Sequence, residues 1–328
     1  MGFSEIIGHP RQTETLRLGL AKGRLHHAYL FVGPEGVGKR TLALALAKAI
    51  HCVQGGDDFC SECTNCMRIR DGNHPDVCTI EPLAGRKEIS IQQIREVEKQ
   101  LNFRSFSGRK KIAILDPATL MNLPAQNALL KTLEEPPQDS LLILVAPNVG
   151  ALLPTLRSRC LRLSFSPLRR ELLASYLASR KDIRPDEANL LAGLSMGKIG
   201  IALKIDSEAL QQKRRLWIES LLSLKAGDYR AAVLAAESLA GSKEEALEFL
   251  QWAESWYRDL VIQAVARGSG DLINLDVATR IEHESANDRL EHRLALFAQT
   301  VEAAAGIQRN LNRRMVLENL FFNAVGNR

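Results

Sequence analysis

The segment Gly33–Thr41, which reads Gly-Pro-Glu-Gly-Val-Gly-Lys-Arg-Thr, has the residue types and spacing of a phosphate-binding loop. In the pattern G-x-x-x-x-G-K-[ST], the glycines let backbone N–H groups surround phosphate oxygens, and the lysine reaches the outer phosphates. The residues that could do this here are Gly33, Gly36, Gly38 and Lys39. The pattern therefore predicts a nucleotide site, but one with an unusual residue at its last position.

That last position is Arg40, where the pattern has serine or threonine. The hydroxyl at this position binds Mg²⁺, whereas a guanidinium cannot bind a metal and repels one. Thr41 is the next residue, but one step along a helix rotates a side chain by about 100°. We expect a loop that folds as in a nucleoside triphosphatase but lacks part of the hydrolytic machinery. A compensating role for Thr41 is the alternative.

A nucleoside triphosphatase also needs acidic residues at the end of an apolar strand, to hold Mg²⁺ and polarise water. The stretch Lys111–Asp116 supplies a strand and one aspartate. Pro117 follows, and proline has no general-base chemistry, so no catalytic glutamate is present there. Asp116 remains a candidate nucleotide-site residue, and a carboxylate that starts a turn with Pro117 is the alternative.

A cluster of four cysteines offers thiolates for a tetrahedral Zn²⁺ site. These candidate ligands are Cys52, Cys60, Cys63 and Cys66. An iron–sulfur site would need another cysteine three residues later, followed by proline, which the sequence lacks. Because no Glu/His pair lies nearby, we expect a structural rather than catalytic zinc, with unliganded cysteines as the alternative. His74 or Cys78 could replace Cys52, although Cys78 lies in an expected strand.

An arginine in the run Ser158-Arg159-Cys160 lies just ahead of an apolar strand. An arginine presented at the edge of a sheet could reach the γ-phosphate of a nucleotide on a partner and stabilise the charge of the transition state. Taken alone, Arg159 fits a surface salt bridge better.

The elements that must position these residues alternate between short apolar runs and helical patterns. The runs that predict strands are Ala28–Val32, Val77–Ile80, Ile112–Leu115, Leu141–Val145 and Leu161–Phe165. Strands that are apolar on both faces and separated by helices form a parallel sheet between two helix layers. The glycine loop follows the first strand, at the end where such folds bind ligands. The predicted fold class is an α/β P-loop domain followed by helical domains.

The chain after Pro167 has helical patterns almost throughout. We predict three domains: 1–166 with the P-loop and a zinc-binding insertion at about 52–66, a small helical domain 167–206, and a helical bundle 207–328. Trp252 and Trp256 are one helical turn apart and are expected in the core of that bundle.

The composition is ordinary for a globular protein, with 45% apolar and 25% charged residues among 328. The net charge is 43 − 38 = +5, too small to indicate direct DNA binding, and 5% aromatics give little for base stacking. Residues 1–10 mix polar residues with short apolar pieces, so we expect no signal peptide, and the sequence contains no run of 18 apolar residues. We expect a cytosolic protein whose cysteines serve metal or thiol roles.

Several of these segments together resemble bacterial clamp-loader AAA+ subunits, a P-loop family of RecA-like fold. The run from Asn127 to Pro137 resembles the segment after the second nucleotide motif of that family, and Ser158-Arg159-Cys160 resembles its arginine-finger motif. The zinc module after the P-loop helix is also similar, although seven residues separate Cys52 from Cys60, where about eight are expected. His74-Pro75-Asp76 fits as well. The specific resemblance covers roughly residues 4–205. The helical remainder of the chain resembles the family only in its architecture.

The departures from the family's ATP-hydrolysing motor, gamma/tau, are informative. The motor would have serine or threonine after Lys39, an Asp-Glu pair where Asp116-Pro117 stands, and an arginine in a region that reads here Gly197 to Leu203. Ile201 occupies that arginine's place, and Lys198 could partly substitute for it. The chain is therefore similar to the branch of the family that keeps the fold and the arginine finger without hydrolysis.

The resemblance implies a subunit of the DNA polymerase III clamp loader, a five-subunit ring in which residues 167–206 form a lid and 207–328 a collar. Arg159 would act in trans on ATP bound to a neighbouring gamma/tau subunit. The implied partners are gamma/tau, delta and, through the complex, the sliding clamp and primer–template DNA. The implied cofactors are structural Zn²⁺ and ATP or ADP bound without hydrolysis.

Three other functions stay open at this point. The chain could be an active gamma/tau-like ATPase, a DNA-repair or recombination AAA+ protein that acts alone, or a zinc-containing interaction module on an inactive nucleoside triphosphatase scaffold.

Overall fold

The structure is a computed structural model that describes residues 2–181, 183–266, 272–286 and 289–326. These residues divide into two compact units. The first comprises the described residues up to Leu172 together with Lys198–Gly200, and the second comprises Leu173–Gly197 and the described residues from Ile201 onwards. Residue 1 and residues 327–328, the outer ends of the predicted first and last domains, lie outside the described residues.

The first unit is built on a five-stranded sheet in which every neighbouring pair is parallel. The strands are β1 (Ala28–Val32), β2 (Val77–Ile80), β3 (Lys111–Leu115), β4 (Ser140–Ala146) and β5 (Leu161–Ser164). Their order in the sheet is β2-β3-β4-β1-β5. The predicted parallel sheet is confirmed, with β1 and β4, the two strands that are buried along their whole length, side by side in its centre.

The edge strand β5 is mostly exposed, unlike the strands apolar on both faces that the sequence predicts. Helices cover both faces of the sheet around its buried central strands. They are α1 (Pro10–Ala21), α2 (Lys39–His51), α3 (Thr64–Arg70), α4 (Ile91–Asn102), α5 (Leu123–Glu134) and α6 (Pro154–Arg157). Successive residues of β1 point to opposite faces, so Phe31 belongs to the core cluster that contains α2, and Leu30 to the cluster that contains α4 and α5. The helix expected after Ser90 begins there with a capping box to Gln93.

Among the described residues, the chain after β5 forms only helices. They are α7 (Arg170–Lys181), α8 (Pro185–Leu194), α9 (Ile199–Ala202), α10 (Ser207–Ser223), α11 (Tyr229–Leu239), α12 (Lys243–Ala266), α13 (Ala278–Ala286), α14 (Leu290–Gln308) and α15 (Arg313–Gly326). The expected core position of Trp252 and Trp256 is confirmed, since both are buried on α12. The division of this region into 167–206 and 207–328 stays a prediction.

The second unit also has a polar anchor in its interior. Asp259, on α12, has no exposed surface and accepts hydrogen bonds from the backbone N–H groups of Ile273 and Asn274 and from the Asn274 amide. Asn274 in turn accepts a hydrogen bond from the buried Arg214 of α10. The segment before α13 is thus held to two helices by groups that would be costly to leave unpaired. None of the described helices is both long and apolar enough to cross a membrane.

Candidate functional site

The phosphate-binding loop connects β1 to α2, as its sequence predicts. Gly38 precedes the first residue of α2 with a φ of 106°, a conformation in which a side chain would be strained. At Gly33 a Cβ would lie 2.2 Å from the carbonyl oxygen of Phe165, so only glycine fits against that backbone. The sequence therefore folds this segment into a tight turn that directs the amino end of α2 toward the carboxyl edge of the sheet.

Lys39, the first residue of α2, is buried within this loop. Its Nζ donates hydrogen bonds to the carbonyl oxygens of Gly33, at 2.5 Å, and Pro34, at 2.6 Å. Burial lowers the pKa of Lys39, and the carboxylates of Asp116 and Glu35 act in the opposite direction. The ammonium is therefore placed at the centre of the loop, where a phosphate oxygen would find a charged donor.

Arg40 lies beside two carboxylates at the same edge of the sheet. Its Nη1 forms an ion pair with Glu81, and the same atom is 3.7 Å from Oδ2 of Asp116. Glu81 follows β2 and Asp116 follows β3, and these two strands are neighbours. Burial raises the pKa of Asp116, while the charges of Arg40 and Lys39 counteract that rise. Thr41 is exposed.

Sequence reasoning did not single out Glu81. Its only signal was its position directly after a strand that runs parallel to the one before Asp116. Sequence reasoning did note Lys198, and the short segment Lys198–Gly200 contacts the loop within the first unit. The N–H of Gly200 donates to the carbonyl oxygen of Gly36 at 2.7 Å, and a Cβ on Gly200 would lie 3.2 Å from the Gly36 backbone.

The four predicted zinc ligands come together at the other end of α2. The sulfur atoms of Cys52, Cys60, Cys63 and Cys66 all lie within 4.8 Å of one another. The Cys52 and Cys60 sulfurs are 3.6 Å apart. Four sulfurs at Zn–S distances of about 2.3 Å in a tetrahedron are about 3.8 Å apart. The Cys52–Cys60 pair is close to this spacing, and the whole set is compact enough to close around Zn²⁺.

The backbone around the cysteines also fits a thiolate site. The N–H of Cys63 donates to the Cys60 sulfur at 3.3 Å. Although burial alone would raise it, N–H donors from Val53 and Cys66 hold the pKa of the Cys63 thiol to about 6. Burial and the hydrogen bond with Cys63 raise the pKa of the Cys66 thiol well above its ordinary value, so within this pair Cys63 is the thiol that loses its proton first. The chemistry and spacing of the set support a structural metal.

The two alternative ligands belong elsewhere. The sulfur of Cys78 faces the carbonyl oxygen of Ile112 in the neighbouring strand, at 3.6 Å, and burial raises the pKa of this thiol to about 11. His74 lies in a second buried group with His51 and Asp76. The two imidazole rings are 4.5 Å apart, and the N–H of Asp76 donates to Nδ1 of His74.

This second group is a structural network. The Asp76 carboxylate accepts hydrogen bonds from the backbone N–H groups of Phe106 and Ser107 and from the hydroxyls of Ser105 and Ser107. Lys111 lies 3.4 Å from the same carboxylate. With its oxygens already bonded, Asp76 has little capacity left for a metal, and it ties the loop before β3 to the strand beside it.

Arg159, the candidate finger, precedes the edge strand β5. Its guanidinium donates through Nη1 to the carbonyl oxygen of Thr155 at 2.8 Å, and through Nη2 to the carboxylate of Glu134 at 2.6 Å. The side chain remains 35% exposed. The ion pair that the sequence left open is therefore present, and it leaves part of the guanidinium available at the surface. Glu134, at the end of α5, is a residue that sequence reasoning did not pick out.

Comparison with known proteins gives the geometry a family context. The family model described as "DNA polymerase III, delta subunit" matches residues 8–169. The DNA polymerase III subunit delta' of Bacillus subtilis is 38% identical over 186 residues, which are 57% of this chain and 56% of that protein. The corresponding subunit delta' of Escherichia coli is 31% identical over 268 residues, 80% of this chain and 78% of that protein.

The chain is also similar to proteins named as another subunit of DNA polymerase III. The DNA polymerase III subunit tau/gamma of Haemophilus influenzae is 31% identical over 244 residues, 71% of this chain but 35% of that longer protein. For the Bacillus subtilis relative, too, the match spans only about half of its length, 56%. Among solved structures, the RuvB Holliday junction branch migration motor of Thermotoga maritima is 19% identical, with a TM-score of 0.46 over 84% of this chain and 83% of that one.

Proposed function

The chain belongs to the family of DNA polymerase III delta' subunits, and from this membership we propose that it is the non-hydrolysing AAA+ subunit of a clamp loader. In this role it helps to place a sliding clamp on primed DNA. It gives Arg159 to the ATP site of a neighbouring gamma/tau subunit. The observation that carries the proposal is the placement of Arg159 relative to the chain's own phosphate loop.

The phosphate loop and Arg159 lie at opposite ends of adjacent parallel strands. Tyr29 in β1 pairs with Leu161 in β5, and the loop starts at Gly33, four residues further along β1. At about 3.3 Å per residue this separates Leu161 from the loop by about 13 Å along the strands, and Arg159 lies further away still. An arginine in this place serves a phosphate only if another molecule brings that phosphate to it.

The chain's own loop lacks the groups for metal-assisted hydrolysis. Arg40 replaces the Mg²⁺-binding hydroxyl and pairs with the acidic residues at the strand ends, and Pro117 stands where a catalytic glutamate would follow Asp116. A guanidinium is always charged, and its planar fork matches phosphate oxygens. These features support a subunit that contributes to a neighbour's hydrolysis and performs none itself.

The remaining parts of the proposal concern what the chain holds and contacts. Cys52, Cys60, Cys63 and Cys66 would hold a structural Zn²⁺, which when bound fixes the segment between α2 and α3. The implied partners are gamma/tau and delta subunits, and through them the clamp and primer–template DNA. Because some relatives are named tau/gamma, an active ATPase motor is the second candidate function. The pairing of Arg40 with the strand-end carboxylates argues against this second candidate.

The test is ATP turnover in a complex reconstituted from this chain, gamma/tau, delta, clamp and primed DNA. The isolated chain should show no turnover above that of its Lys39→Ala variant. In the complex, Arg159→Ala should reduce turnover at the affected site by about 10³-fold, the loss typical of a missing arginine finger. Arg162→Ala, which removes an exposed arginine from the same edge strand, is the matched control. Unchanged turnover and clamp loading with Arg159→Ala would refute the proposal.

A further inference from the structure

The guanidinium of Arg40 lies in the space between the end of the phosphate loop and the strand-end carboxylates. In a Mg²⁺-dependent loop, the hydroxyl after the lysine and the aspartate after the strand hold the metal between them. Here the residue after the lysine is Arg40, and its Nη1 contacts Glu81 and lies 3.7 Å from Oδ2 of Asp116. A cation attached to the chain therefore stands where a free cation would bind.

This arrangement makes a divalent ion unfavourable at that position. Mg²⁺ would have to displace Arg40 from both carboxylates, and it would then lie next to the displaced positive charge. Mg²⁺ also needs near-octahedral oxygen ligands, and the loop offers no hydroxyl at the required position. The guanidinium, in contrast, has five N–H donors, and both carboxylate contacts use Nη1 alone. Within the described part of the chain, Nε and Nη2 make no hydrogen bond, so both can donate to an anion.

The remainder of the loop retains what a phosphate needs. Lys39 is buried with its ammonium on the loop's own carbonyl oxygens, and α2 starts at the same point. A phosphate that accepts hydrogen bonds from Lys39 and from the N-terminal N–H groups of α2 would still carry excess negative charge toward Asp116 and Glu81. Arg40, which pairs with both carboxylates at this edge of the sheet, is the positive charge available to offset it.

We propose that the loop Gly33–Thr41 binds a nucleoside di- or triphosphate without a divalent cation, and that Arg40 supplies the positive charge that Mg²⁺ supplies in hydrolysing relatives of this fold. This inference rests on the proposed function only in taking the loop as a nucleotide site that does not hydrolyse. It makes nucleotide occupancy independent of free Mg²⁺, so the loop acts as a static structural site.

The experiment measures binding of ADP and of ATP to the nucleotide-free full-length chain by isothermal titration calorimetry, once in excess Mg²⁺ and once in excess EDTA. For the wild type, the two dissociation constants should agree within about threefold. Arg40→Ser restores the hydroxyl and removes the tethered cation, so its binding should become at least about tenfold tighter in Mg²⁺ than in EDTA.

Three further variants fix the interpretation. Arg40→Lys keeps a cation and should keep binding independent of Mg²⁺. Lys39→Ala should lose binding under both conditions, which assigns the signal to this loop. Arg24→Ser removes an exposed arginine outside the loop and should behave as the wild type.

Three results would overturn the inference: wild-type binding more than about threefold tighter in Mg²⁺ than in EDTA, Arg40→Ser binding that stays independent of Mg²⁺, or no nucleotide binding under either condition. Circular dichroism of each variant separates loss of fold from loss of binding. Because the titration uses the isolated chain, its failure is distinguishable from failure of the Arg159 proposal, which is measured in the complex.

Discussion

Nη2 of Arg159 lies 2.6 Å from Oε1 of Glu134, so the residue ahead of the edge strand is tied to the last residue of α5. With the second bond to the Thr155 carbonyl, the guanidinium has two fixed contacts while it stays partly exposed. A long side chain at a surface ordinarily samples many rotamers, and immobilising it costs free energy at the moment of binding. The contact with Glu134 already restricts the rotamers of Arg159, so less conformational entropy is lost when the guanidinium binds a phosphate.

We therefore predict that Glu134 positions Arg159. Glu134→Gln should lower ATP turnover of the reconstituted complex by about three- to tenfold, because fewer guanidinium groups are pre-aligned. The loss should appear in kcat while KM for ATP and the melting temperature stay unchanged. Glu135→Gln, the exposed neighbour, is the control. In an Arg159→Ala background Glu134→Gln should have no further effect, and an additive loss would contradict the positioning role.

Zinc is predicted to be stoichiometric and bound by the four clustered cysteines. Cys63→Ser should release the metal and lower the melting temperature of the first unit, because metal binding contributes to its folding free energy. Metal content is measured by inductively coupled plasma spectrometry. Cys160→Ser, which changes a cysteine outside the cluster, should retain full zinc content. Wild-type protein purified without chelator and found to contain no zinc would rule out the site.

Asp76 should make the first unit sensitive to acid. Burial alone would raise the pKa of Asp76, but hydrogen bonds from Phe106, Ser107 and Ser105 hold it well below its ordinary value of 3.8. Because the folded-state pKa is the lower one, the carboxylate contributes stability above about pH 4, and this contribution is lost as the pH falls further.

The measurement is urea unfolding of the wild type and of Asp76→Asn between pH 7 and pH 3. The variant should be less stable at pH 7 by about 2 kcal/mol and should lose less stability on acidification than the wild type. Asp139→Asn changes an exposed aspartate and is the control. Parallel pH profiles for the wild type and Asp76→Asn would show that the network does not contribute in this way.

Asp259 should be costly to remove from the second unit. Its carboxylate is fully buried, and Asp259→Ala would leave the N–H groups of Ile273 and Asn274 without their acceptor, at a cost of about 3 kcal/mol. Glu248→Ala removes a half-exposed partner of Lys213 and should cost less than about 0.5 kcal/mol. Both values come from chemical unfolding, and equal costs would contradict the buried-network account.

The sequence predicts those parts of the molecule that depend on local spacing. The apolar runs locate the five strands, the glycine pattern places the loop between β1 and α2, and the cysteine spacing brings four sulfurs together. The ion pairs, in contrast, join residues that are far apart in the sequence. Arg40 and Glu81 are 41 positions apart, and Arg159 and Glu134 are 25 apart. The first contact depends on the order of strands in the sheet, and the second on the packing of α5 beside α6. No local pattern specifies either, so the partners of both arginines emerge only from the fold.

The opposed placement of the phosphate loop and Arg159 has a consequence for assembly. A protein with a nucleotide site at one end and an arginine finger at the other can associate head to tail, so that one repeated interface joins successive subunits in a series. Under the proposed function, this chain keeps the arginine finger Arg159, while Arg40 prevents hydrolysis at its own nucleotide site. Such a subunit would complete the ATP site of its neighbour without needing a neighbour to complete its own nucleotide site. It would therefore occupy the end of the series of subunits.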